Sequence, residues 1–391
     1  MAVEEAKQHT VLIVAGEVSG DIHGSHLVRA LRELNPSLEF CGVGGDAMQA
    51  AGVNLLAHIS EMAVVGITEV CSKLGTILGT YRRLKARLQS DPPALVILID
   101  YPDFNLLLAR TVHHLKIPLI YYISPQIWAW RRGRIRTIAR LVTKMIVIFP
   151  FEKALYEQAG VDVTFVGHPL LDSVKSRFSR SEALSYFGLT PGKPTIALLP
   201  GSRPSEIQMN FPALLKSVPL VVQQLETVQF IVPVAPGLDI DRILALTKPY
   251  DAWVHVIKGH VHDILNISEL ALVASGTATM ETAIIGTPMI IVYRVSPITY
   301  LLGRLLIRTK NIGMVNIMAG KTIVPELIQS QCNPDRIAEA VLQLMQDPEK
   351  RHTIKQELAS LRNSLGKPGA SQRAAEVIHT FLKEDRLHAR V

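Results

Sequence analysis

Cysteine is scarce: three in 391 residues, Cys41, Cys71 and Cys332, dispersed and odd in number. That pattern excludes a disulfide framework and supplies no metal-ligand spacing, as expected of a chain kept in a reducing cytosol. No apolar run reaches the roughly 20 residues that cross a bilayer. The opening segment carries Glu4, Glu5 and Lys7 in place of an apolar signal core, so secretion is not expected. Short repeats and low-complexity tracts are missing too. Charged residues make up only 19% of the chain, which argues against disorder.

Apolar residues fill 48% of the sequence, and the mean hydropathy of +0.24 is high for a water-soluble protein. Parallel sheets, apolar on both faces, would account for part of it, and an exposed apolar surface for the rest. Lysine and arginine number 41 against 34 acidic residues, a net charge of +7. Nucleotides, nucleic acid and anionic lipid all suit that balance, and charge alone does not choose among them.

The length favours two domains. Residues 11–15 (VLIVA) form a short apolar run that enters a glycine-bearing polar turn and then a helical pattern over 26–34. Similar runs at 94–99, 118–123, 145–149 and 164–166 end in Asp100, Ser124, Pro150 and Gly167. A charged, turn-forming passage covers 173–194. A second series follows at 195–199, 229–232, 255–257, 270–274 and 289–293. Strands alternating with helices predict an α/β fold of two Rossmann-like parallel-sheet domains facing each other across a cleft. The expected division is 1–185 and 186–365, with a helical segment at 366–391 packing back on the N-terminal domain. Ligands of such sheets bind beyond the carboxyl ends of the strands. The first turn reads GEVSGD, without the middle glycine of a dinucleotide fingerprint, which counts against a dehydrogenase.

Taken in order, GEVSGD (16–21), GGDAM (44–48), DYPDFN (100–105), ISPQIWAWRRGR (123–134), FPFE (149–152), FVGHPLLD (165–172), LLPGSRPSEI (198–207), ASGTATMETA (274–283) and GTPMIIVYR (286–294) are specific as a set. The chain resembles the lipid-A-disaccharide synthases from residue 11 to beyond 294. The resemblance implies a GT-B fold and an inverting transfer of a diacylated glucosamine from UDP. The acceptor is the 6-hydroxyl of diacylglucosamine 1-phosphate, and UDP is released. It further implies a cytoplasmic protein, peripheral on the inner membrane of a lipopolysaccharide-making bacterium. No cofactor and no metal are expected. A homodimer is compatible with it, and nucleic acid is not among the expected partners. The competing readings are another UDP-GlcNAc-using GT-B enzyme, such as a peptidoglycan glucosaminyl transferase or an epimerase, and a noncatalytic nucleotide-sugar sensor.

Inverting transfer needs a base for the acceptor hydroxyl, and Asp100, at a strand end, is the preferred carboxylate over Asp103 and Asp21. Asp103 and Asn105 either hold the loop or contact acceptor. Glu17, Ser19 and Asp21 are expected at the acceptor. Gly201, Ser202 and Arg203 follow the first strand of the second series, where backbone amides and a guanidinium suit a diphosphate. The bland alternative for Arg203 is a surface pair with Glu206. Ser275, Gly276 and Thr277 precede a helix N-terminus, and Glu281 is placed to accept both ribose hydroxyls. Asn316 is a further candidate for the donor. His168 is read as a structural histidine. Finally, Ile67, Val70, Leu74 and Ile77 recur at helical spacing beside Lys73, Arg82, Arg83, Lys85 and Arg87. They form either a core-packing helix or one that lies on an anionic membrane, and the acylated substrates favour the membrane. Residues 300–310 (YLLGRLLIRTK) form a second such patch.

Overall fold

The computed structural model describes residues 10–62, 67–127, 133–296, 300 and 311–388, with backbone only for 62, 67–74 and 385–388. Two compact units divide the chain, one of residues 1–169 with 365–391 and the other of 170–364.

The first unit is built on a seven-stranded parallel sheet in the order β3-β2-β1-β4-β5-β6-β7. Its strands are β1 (Thr10–Ala15), β2 (Glu39–Gly44), β3 (Asn54–His58), β4 (Leu95–Ile99), β5 (Leu119–Tyr122), β6 (Lys144–Val147) and β7 (Val163–Phe165). β1 is buried from Val11 onward and β4 throughout, as expected of central strands covered on both faces. Val14, Leu98, Leu108, Val112 and Tyr121 belong to the core on one face of the sheet. Strand order reverses between β1 and β4, so the turns after these two strands part at the switch point where open α/β sheets bind ligands. Their register pairs Ala15 with Ile99, which brings Gly16 and Asp100 out side by side.

The second unit repeats the plan with six parallel strands in the order β10-β9-β8-β11-β12-β13. These are β8 (Thr195–Leu199), β9 (Gln229–Val234), β10 (Val254–Lys258), β11 (Leu270–Ala274), β12 (Met289–Tyr293) and β13 (Glu326–Ile328). Its reversal lies between β8 and β11. Val273 pairs with Leu199, so the turns 200–203 and 275–277 leave the sheet as neighbours.

The division falls at 169/170 rather than 185/186. The passage beyond Pro169 is held by the second unit, because Leu170, Leu171, Val174, Ala183, Leu184 and Phe187 are all buried. Buried Asp263 fixes it further, accepting from Ser176 Oγ at 3.0 Å, Arg177 N at 2.5 Å and Phe178 N at 3.1 Å. At the other end the chain rejoins the first unit. The helix Ala370–His388 packs along the helix Val18–Leu34. Arg373 anchors it, donating from Nε (2.8 Å) and Nη2 (2.6 Å) to the Val166 carbonyl.

Among the described residues no helix is long and apolar enough to cross a membrane. The side chains of Ile67, Val70 and Leu74, like residues 128–132 and 301–310, lie outside the described residues. Ile77 is half-buried and packs against the core of the first unit, while its neighbour Leu78 is 41% exposed.

Candidate functional site

The sharpest feature of the first unit is the crest after β4. Asp100 and Tyr101 both sit in the left-handed region, with φ of +43° and +47°. Two non-glycine residues in that region cost about 1–3 kcal/mol each and persist only where the surroundings hold them. Asn105 Nδ2 donates to the Ile99 carbonyl at 3.1 Å and to the Asp100 carbonyl at 2.8 Å, and the Tyr121 hydroxyl donates to the same Asp100 oxygen. Across the switch point Gly16 is required. A Cβ there would lie 2.1 Å from the Tyr101 ring, so only glycine lets that ring lie on the turn after β1.

The Asp100 carboxyl is half-buried. Burial pushes it up to about 7, Glu17 adds repulsion, and the Tyr101 amide opposes the shift by hydrogen bonding. A carboxylate poised there exchanges a proton readily at neutral pH, as a general base must. Glu17 is exposed at the N-cap of the helix Val18–Leu34, with no capping bond from its side chain, and Ser19 lies half-buried in the first turn.

Three of the predicted acceptor residues have other duties. Asp21 is 4% exposed, and its carboxylate accepts from Gly45 N (2.7 Å), Ala47 N (3.0 Å) and Met48 N (3.0 Å). That caps the helix Asp46–Ala50 and ties GEVSGD to GGDAM, so its role is structural. Asn105 is fully buried and holds the crest from below. Asp103 is exposed and paired with Arg134. Buried His168 is pushed down to about 3 by burial and by nearby His23, and its ring packs on Phe149 at 5.0 Å, which fits a structural histidine.

In the second unit the turn after β8 places Gly201 at φ +130°. Arg203 has a 58% exposed side chain, 3.5 Å from Glu206 Oε1. The other Glu206 oxygen accepts from Ser202 N at 2.8 Å and Arg203 N at 3.3 Å, closing a capping box. The amides and guanidinium that suit a diphosphate therefore hold an internal carboxylate. The structure thus contains the surface pair with Glu206 that stood as the alternative to a phosphate contact.

Beside it, the helix Thr277–Ile285 begins directly after Gly276, and its N-terminal amides and dipole suit a phosphate. Glu281 is half-buried on this helix, and His262 Nε2 stands 3.6 Å from its carboxylate. His262 escaped the sequence reading. Its signal was the GHVHD turn after β10, another strand-end turn of the same sheet. Asn316, by contrast, is used up. Its amide donates to the Val324 carbonyl (2.9 Å) and Glu326 Oε1 (2.7 Å), and its oxygen accepts from Ile323 N (2.8 Å) and Val324 N (3.0 Å). Two donors and two acceptors are all that an asparagine has, so in this structure Asn316 serves as a structural clasp. Among the described residues no group of three or more His, Cys, Asp or Glu side chains is placed to hold a metal ion.

A family model described as lipid-A-disaccharide synthetase matches residues 11–381. The lipid-A-disaccharide synthase of Syntrophus aciditrophicus is 51% identical over 96% of this chain and 98% of its own length. That of Geobacter sulfurreducens is 46% identical over 97% and 98%. Among solved structures, a UDP-GlcNAc 2-epimerase from Neisseria meningitidis bound to UDP-GlcNAc aligns with a TM-score of 0.62 at 14% identity, covering 95% of this chain and all of its own. The calicheamicin glycosyltransferase CalG4 aligns at 0.61 and 16%, covering 96% and 99%. At such identities these structures share the fold alone, which is GT-B.

Proposed function

We propose, from the premise that this chain belongs to the lipid-A-disaccharide synthase family, that Asp100 is the general base of its glycosyl transfer and that the turns after β8 and β11 hold UDP. The enzyme is a UDP-sugar-dependent glycosyltransferase of lipid A biosynthesis, and close relatives with that name disfavour the epimerase and sensor alternatives. The single observation that carries the division of roles is the position of these residues. Each candidate leaves its sheet at the point where strand order reverses.

In this reading the substrates are UDP-diacylglucosamine and diacylglucosamine 1-phosphate. The Asp100 carboxylate takes the proton of the acceptor 6-hydroxyl as that oxygen attacks the anomeric carbon. The bond from this carbon to the UDP oxygen breaks on the opposite face, which inverts the centre, and UDP departs with the negative charge. Arg203 and the amides at the start of the helix Thr277–Ile285 receive that charge, a stabilisation worth several kcal/mol when such donors are fixed in advance. Glu281 accepts from the ribose hydroxyls, with His262 beside it. Glu17 and Ser19 border the acceptor. Charge on UDP is met by side chains and amides, so the reading calls for no metal ion or cofactor. The acyl chains of both substrates place the reaction at an anionic membrane surface on the cytoplasmic side, where the net positive charge of the chain favours docking.

The direct test is incubation of the purified protein with the two substrates, followed by mass detection of a disaccharide monophosphate and of UDP. Disaccharide formed one-for-one with UDP supports the assignment. Hydrolysis of the donor without disaccharide, or a donor epimerised at its second carbon, would contradict it.

A further inference from the structure

Asp100 is not held by its own strand alone. Its left-handed backbone is one of three such non-glycine residues on this crest, with Tyr101 at +47° and Ile123 at +63°. A β-branched residue in that region is a genuine outlier, so the strain is not confined to one turn. Asp100 and Ile123 end adjacent strands, β4 and β5, and they are bonded to each other, Asp100 N donating to the Ile123 carbonyl at 3.2 Å. Ile123 N in turn donates to Ile146 O at 3.0 Å, which passes the restraint to β6.

The remaining restraint on Asp100 falls on its carbonyl oxygen, which takes two hydrogen bonds from buried side chains, the Tyr121 hydroxyl and Asn105 Nδ2. Tyr121 and Asn105 are both fully enclosed. Tyr121 lies on β5 and is fixed by the core around it, whereas Asn105 rides on the helix that follows the crest itself. The tyrosine therefore references Asp100 to the neighbouring strand β5, whereas the asparagine ties it to the end of its own strand, β4, and to the helix that follows.

We propose that Tyr121 is a positioning residue for the glycosyl transfer, its buried hydroxyl pinning the Asp100 carbonyl so that the strained backbone aims the Asp100 carboxyl at the acceptor. The inference rests on Asp100 being the base. Releasing the pin lets residues 100 and 101 relax toward ordinary backbone angles, which swings the carboxyl away from the reacting hydroxyl and toward water. The groups that face this carboxyl are Glu17 from the turn after β1, Tyr121 from β5 and the Tyr101 amide on its own turn. Asp103 is sensed by both tyrosines, and Tyr156 faces Tyr121 from behind. None of these is changed in charge when the hydroxyl is removed, so a shift in the pH profile would report geometry.

The test is Tyr121→Phe, which keeps the ring and deletes one oxygen. Misplacing a reacting group by about 1 Å costs on the order of 100-fold, so kcat should fall between about 10- and 100-fold, with UDP affinity unchanged. The acid limb of the kcat profile should move to lower pH, because a carboxyl released to water ionises more easily. A variant with a lower melting temperature but unaltered kcat and acid limb would overturn the proposal and leave Tyr121 a packing residue. Should Tyr121→Phe fail to fold, Gly16→Ala provides the second arm. Its Cβ must displace the Tyr101 ring and disturb the crest from the other side. It should lower kcat and shift the limb in the same direction, and an unchanged limb would again overturn the proposal. Asp100→Asn run in parallel separates the two failures. If it retains turnover the base assignment falls, whereas an inactive Asp100→Asn beside a fully active Tyr121→Phe removes the pin alone.

Discussion

The two switch points are built from opposite materials. In the first unit the crest opens on two non-glycine residues, Asp100 and Tyr101, forced into left-handed backbone, with the Asp100 carboxyl drawn partly out of water. In the second, the turns at 200–203 and 275–277 contain glycine, expose arginine and begin helices. The difference matches the roles proposed for the two sites. A base needs a defined position and a raised proton affinity, both of which demand burial and restraint. A diphosphate site needs backbone and side-chain donors that can approach an anion, which demands an open backbone. Strain marks one kind of site and permissive turns mark the other.

The largest expected effect breaks the comparison at the crest. Asp100→Asn should lower turnover by about 100- to 10,000-fold while UDP titrations stay at the wild-type value. Comparable loss of UDP affinity would mean that the two regions do not divide the work as described. Asn316→Ala addresses stability. Removing a buried amide that satisfies four backbone and side-chain groups should cost roughly 1–3 kcal/mol in denaturant unfolding, with little change in UDP affinity for the folded protein. A selective loss of UDP binding without loss of stability would return Asn316 to the donor site. Arg203→Ala should weaken UDP by about 10-fold and narrow the preference for UDP over uridine, since one charge-assisted phosphate bond is worth about 1.5–3 kcal/mol. Glu281→Ala should weaken both ligands alike. Equal affinity for UDP before and after either substitution would take that residue out of the site. The smallest expected effect is that of a chelator: turnover should be unchanged by EDTA, and inhibition reversed by magnesium would contradict the metal-free reading.

How far the sequence disclosed this depends on the physics of each feature. The central strands were legible because burial on both faces makes β1, β4, β8 and β11 continuous apolar runs. Strands β2, β3 and β13 went unread for the converse reason. β2 contains two glycines, β3 is an edge strand with Asn54 and His58 at its ends, and β13 has only three residues. Asp100 was visible as a carboxylate at a strand end. The bonds that saturate Asp21 and Asn316 were not, because an asparagine or aspartate spent on backbone amides has the same letter as one aimed at a ligand. The pin from Tyr121 was equally hidden: in sequence it is one apolar-looking position in PLIYYI, and only strand adjacency brings its hydroxyl to residue 100. The boundary at 169/170 was displaced because a polar passage reads as a linker even where Asp263 fastens it to one unit.

The central claim is that Asp100 acts as the base from a site that raises its proton affinity. Its most direct measurement is kcat/KM against pH, which reports the ionisation of the base in the free enzyme. The transfer requires the ionised carboxylate, so activity is full above the Asp100 pKa and is lost as pH falls through it. The account predicts an acid limb near pH 7 in the wild type, in keeping with the value to which burial and Glu17 raise this group. An acid limb near pH 4, where an ordinary aspartate titrates, would contradict it.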